Sequence, residues 1–137
     1  QKINTTNLTV EFIPTVPHDK IGEYQKNANL LFLVIPEVQH AEGILTGKLF
    51  EYLATGNMII GIGPPSGDAA DIIKKCEAGV VYDRNDEHGI KSFLREQIIN
   101  FIEGKSKNAN WKEIDDFSRE KQAGYLSEII RSLLNVK

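Results

Sequence analysis

The chain has 137 residues, of which 41% are hydrophobic, 26% charged and 8% aromatic, with a formal net charge of −3. That length suffices for one domain with a buried core, and the mild acidity argues against non-specific binding to nucleic acid or to an anionic membrane, both of which favour basic patches. No apolar run approaches the roughly 18 residues that span a bilayer, and the single cysteine, Cys76, excludes an internal disulfide and a cysteine zinc cluster.

In chain order, "LTVEFI" (8–13) is β-branched and aromatic and reads as a strand ended by Pro14 and Pro17. "HDKIGEYQKNA" (18–28) reads as a short helix, with Asp19 as its N-cap and Ile21, Tyr24 and Ala28 on one face. "LLFLVI" (30–35) is a continuous apolar run, the pattern of a strand covered on both faces. The polar loop "PEVQHAEG" leads to a helix over 47–55 that stops at Gly56, then to a buried strand "MIIGI" (58–62). After the turn "GPPSG", Ser66 caps "GDAADIIKKC" (67–76), which leads to a strand "GVVYD" (79–83).

A helix from Asp86 to Glu103 follows, with Ile90, Phe93, Leu94, Ile98, Phe101 and Ile102 on its inner face. "GKSKNAN" is linker-like, and a last helix spans 111–134, striped by Leu126, Ile129, Ile130, Leu133 and Leu134. The stripe packs either on this domain or against a neighbouring one. Cys76, at a helix end, reads as a packing thiol, which with the absence of a signal peptide places the chain in a reducing, cytoplasmic compartment.

Strands alternating with helices predict an α/β fold, a Rossmann-like, doubly wound parallel sheet of about four strands, followed by C-terminal helices. Sheets of this class usually have five or six strands. The chain begins with Gln1 and its one methionine is Met58. The expectation is therefore a single domain over 1–137 whose first βα part lies upstream.

Parallel sheets bind ligands outside the carboxyl ends of their strands, where loops enter helices. The longest such loop, 36–46, leads into "GKLFEYLATG", which raises a question: Lys48 sits in the first turn, where the helix dipole already carries partial positive charge. On a helical wheel Leu49, Phe50, Leu53 and Ala54 share the core arc, while Lys48 and Glu51 lie about 60° apart on the opposite side. The first-turn amides of Gly47, Lys48 and Leu49 lack intrahelical partners, and Gly43 and Gly47 permit close approach. A diphosphate there would make Lys48 welcome, and Glu51 would accept hydrogen bonds from a ribose diol. The plainer alternative is a surface i, i+3 ion pair. Neither a P-loop nor a "GxGxxG" fingerprint occurs.

The segment "GILTGKLFEYLATGNMIIGIGPPSGDAADII", with "VEFIPTVPHDKIGEYQKNANLLFLV" before it, resembles the donor site of GT-B-type glycosyltransferases, in particular the group 1 or family 4 bacterial enzymes that build surface polysaccharides. The resemblance covers 8 to about 134 and is most specific at 44–56. It implies that this is the C-terminal, donor-binding portion of an enzyme that passes a sugar from a UDP- or GDP-sugar to an acceptor hydroxyl. It implies that Glu51 grips the donor ribose, that Leu45, Thr46 and Gly47 meet the diphosphate beside Lys48, and that Val16, Pro17 and His18 wall the base.

Many relatives carry a second glutamate eight positions before the ribose-binding one; here that place is Gly43, with Glu42 one residue off register. The Arg/Lys pair that completes the diphosphate clamp, and the N-terminal acceptor domain with its glycan or lipid-linked acceptor, are expected upstream of residue 1. The chain alone is therefore expected to bind rather than catalyse, with no metal, while the full-length enzyme leaves room for peripheral membrane association. No catalytic residue is assigned. The competing classes are a non-catalytic α/β interaction or nucleotide-binding module and a fragment of a sugar-nucleotide epimerase of similar architecture.

Overall fold

The computed structural model describes residues 2–5 and 8–134, with side chains from residue 9 onward. Its centre is a three-stranded parallel sheet, β3 (Leu30–Val34), β4 (Met58–Ile62) and β5 (Gly79–Tyr82), in that spatial order. Leu31 pairs with Ile59, and Ile59 with Gly79, so the three apolar runs lie side by side in register. Helix α2 (Gly47–Leu53) carries the chain from β3 to β4, and α3 (Asp68–Lys75) from β4 to β5. The class is α/β, and the sheet is smaller than expected.

The first predicted strand does not join it. Residues Leu8–Glu11 form β2, which pairs antiparallel with β1 (Lys2–Thr5) as a separate hairpin, with Lys2 opposite Glu11. A strand of alternating polarity does not carry the two-sided apolar character that a central parallel strand needs, and the antiparallel hairpin accepts it. The strand also stops at Glu11 rather than residue 13.

Alternation along each strand decides the rest. Leu31, Leu33, Ile59 and Val81 point to one face and are buried with Leu49 and Leu53 of α2 and Ala69, Ala70 and Ile73 of α3. Full burial of each such Leu or Ile stabilises the fold by about 1.5–3 kcal/mol. The opposite face is the exception to the prediction that 30–35 is covered on both sides: Phe32 is 56% exposed and Val34 55%. Helix α4 (Glu87–Ile102) reaches that face through Phe93, whose ring meets Tyr82 edge-on at 6.0 Å. Of its predicted inner stripe only Phe93 is buried; Leu94, Ile98, Phe101 and Ile102 are exposed.

Capping corrects several details. Helix α1 (His18–Lys26) has Pro17 at its N-cap, so Asp19 sits inside the first turn instead of before it. Gly67, not Ser66, occupies the N-cap of α3. Asp86, expected inside α4, is instead its N-cap and accepts from the Gly89 amide at 2.9 Å, while Asp83 accepts from the Asn85 amide in the preceding turn. The expected final helix is two: α5 (Trp111–Asp115) and α6 (Arg119–Leu133), separated where Ser118 caps α6 through the Lys121 amide.

The stripe of α6 is exposed throughout. The linker-like segment is anchored at its end: Ala109 donates to the Gly56 carbonyl and Asn110 to that of Cys76. Cys76 ends α3 fully buried, as a packing thiol should. Among the described residues no helix is long and apolar enough to cross a membrane.

Candidate functional site

The loop from β3 to α2 leaves the carboxyl end of the sheet, makes a short 3-10 turn over Ala41–Gly43 and enters α2 at Thr46. Gly43 closes that turn, its amide donating to the His40 carbonyl at 3.3 Å. Leu45 is exposed, and Thr46 occupies the N-cap with extended backbone and no side-chain cap bond. Helix α2 is shorter than predicted, seven residues instead of nine, and turns off at Gly56, whose φ of 73° is a left-handed conformation that suits glycine. One predicted free donor is occupied: the Leu49 amide bonds the Thr46 carbonyl at 3.1 Å. The amides of Gly47 and Lys48 remain open among the described residues.

The plain ion-pair reading of Lys48 and Glu51 is not what forms. Lys48 is exposed and makes no ion pair among the described residues. Glu51 turns instead to α1, accepting from Gln25 Nε2 at 3.1 Å and standing 4.0 Å from His18 Nε2. The latter is an electrostatic contact only when the imidazole carries a proton. The Glu51 side chain stays 44% exposed and His18 87%, so neither is consumed by the interior. Beside them burial, aided by the Glu51 charge, raises the Tyr52 phenol above its ordinary value.

The turn at 16–18 and the helix at 47–53 thus converge. Their alignment is held by Asn57, whose side-chain amide donates to the Gln25 and Lys26 carbonyls at the end of α1. Val16 is half-buried, while Pro17 and His18 are exposed at the start of α1. Gln25 gave no chemical signal in the sequence; its place opposite Glu51 depends on how α1 packs.

A second wall was also missed. Between α2 and α6 lies a cleft of about 760 Å³, lined on one side by Leu45, Gly47, Phe50 and Glu51 and on the other by Phe117, Ser118, Arg119 and Gln122. Such a volume and a mainly apolar lining with a few polar groups are within the range of small-molecule sites. Phe50 and Phe117 meet at 6.1 Å along its floor. No sequence spacing connects residue 119 to residue 51; the break at 116–118, which brings the start of α6 back over α2, makes the connection.

Another hollow, about 340 Å³, opens at the carboxyl ends of the strands between Glu37, Glu42, Ser66 and Arg84. Arg84 and Glu37 form an ion pair across it. Among the described residues no group of three His, Cys, Asp or Glu side chains is placed to hold a metal ion. Comparison of the chain with protein-family models, curated proteins and solved structures found no match in any of the three.

Proposed function

We propose that the chain is the donor-binding part of a glycosyltransferase, a Rossmann-like unit that holds a nucleoside diphosphate sugar while its sugar passes to an acceptor hydroxyl. The observation that carries this reading is the convergence of His18 and Glu51, two residues from separate segments, beside the open start of α2. In this arrangement Glu51 accepts both ribose hydroxyls, the Val16–Pro17–His18 turn walls the base, and Leu45, Thr46, Gly47 and Lys48 receive the diphosphate from the loop that begins at Gly43. A bound diphosphate would be stabilised by fixed donors and cationic side chains, the electrostatic assistance that a departing nucleotide needs.

Titration of the chain with UDP and GDP, followed by NMR or calorimetry, tests it directly. The expected result is saturable binding in the millimolar to micromolar range, weakened about tenfold or more by Glu51→Ala and by Lys48→Ala. The exposed apolar faces of the sheet and of α6 favour a second reading, a non-catalytic interaction module. An intact fold that responds to no nucleoside diphosphate would select it.

A further inference from the structure

Glu51 has neighbours on two sides. Towards α1 stand His18 and Gln25; towards α6 it forms part of the rim of the 760 Å³ cleft. On the helical wheel Gly47, Phe50, Glu51 and Ala54 share an arc of about 100°, and all four line that cleft. Lys48 lies roughly 60° beyond Glu51 and is not part of the lining. The cation that does line it is Arg119, the first residue of α6, which makes no ion pair among the described residues.

The other polar groups of that wall are engaged. Ser118 Oγ accepts the Lys121 amide, and Gln122 Nε2 donates to the Asp116 carbonyl at 2.7 Å. The charged residues of the lining are thus Glu51 on the α2 wall, its carboxylate turned towards Gln25 and His18, and Arg119 on the α6 wall, with Phe50 and Phe117 between the walls. An occupant that satisfies both presents hydrogen-bond donors at one end and an anion at the other. A nucleoside diphosphate does so; a free sugar or inorganic phosphate offers one of the two. The planar fork of an arginine matches two oxygens of a phosphate group at once.

We infer that Arg119 is a further donor-binding residue, reaching from the α6 wall of the cleft to the diphosphate that Leu45 and Gly47 of the opposite wall, with Lys48 beside them, receive from the nucleotide whose ribose Glu51 holds. The inference rests on the donor-binding reading above.

The test is an NMR titration of the chain with UDP or GDP, whichever binds, and with the matching phosphate-free nucleoside, for the parent, Arg119→Ala, Arg119→Lys and Glu51→Gln. Arg119→Ala should weaken diphosphate binding about tenfold and leave nucleoside binding unchanged, with Arg119→Lys recovering part of the loss. Glu51→Gln should weaken both ligands, and amide shifts at Phe117 and Gln122 should appear with the diphosphate alone. If Arg119→Ala binds the diphosphate like the parent while Glu51→Gln does not, Arg119 has no such role and the donor reading survives. If Arg119→Ala weakens nucleoside and diphosphate equally, the residue is merely structural and the inference is overturned. If the folded parent binds neither ligand, the donor reading itself fails, and the inference with it.

Discussion

At the scale of single residues, two glycines show what the backbone demands. Gly79 opens β5 at φ 146°, and a Cβ there would stand 1.8 Å from the Ile59 carbonyl oxygen, inside the sheet. Gly79→Ala is expected to destabilise the chain by on the order of 4 kcal/mol or more, since neither the strand backbone nor the register can yield cheaply. Gly56→Ala meets a left-handed φ of 73° and the Trp111 ring at 2.5 Å. That ring is exposed and can move, so the cost should be nearer 1–3 kcal/mol, mostly backbone strain. Urea midpoints of the two variants against the parent check both the direction and the order.

The stop at Gly56 was legible, because a glycine after the last apolar position of a helix is a recurrent end signal. The partner of Glu51 was not. Sequence spacing offered Lys48 as the nearest opposite charge, whereas Gln25 and His18 arrive from a helix whose approach only packing sets.

Elements were readable where periodicity is strong. The strand over 58–62 and the helix through Ile90 and Phe93 lie within a residue or so of their expected bounds, since continuous β-branched runs and a 3.6-residue repeat leave little choice. The last thirty residues misled for the same reason: α5 and α6 both carry helical patterns, and no glycine or proline marks the join. Ser118 is followed three positions on by Lys121 in place of Glu or Gln, so the usual reciprocal capping signature is missing. The Ser118 side chain nonetheless caps α6. Ser118→Ala should cost about 1 kcal/mol, read as a lowered thermal midpoint, and should fray the first turn of α6, read as faster amide exchange at Lys121.

For the whole molecule, burial has a pH consequence. Desolvation pushes the Cys76 thiol above its ordinary value of 9.0, with Glu113 and Asp116 adding to the rise and Lys75 opposing it. From about pH 9 upward the unfolded chain has released a proton that the folded chain still holds, so stability falls as pH rises. Thermal melts at about pH 8 and about pH 10 should show that loss, and Cys76→Ala should flatten the slope even though its small cavity lowers both midpoints. Alkylation of the native thiol should be slow until the chain opens, because the side chain is fully buried.

The amino-acid sequence by itself determined the alternation of parallel strands and helices, the stop at Gly56 and the inert character of Cys76, because each follows from local periodicity, turn chemistry or a single residue's burial preference. Tertiary structure alone decided that 8–11 leaves the sheet for a hairpin, that Phe32 and Val34 stay exposed on one sheet face, and that Arg119 comes to stand across a cleft from Glu51. Those outcomes depend on which apolar surfaces compete for the same neighbour and on the path of the chain between them. No window of sequence contains that information.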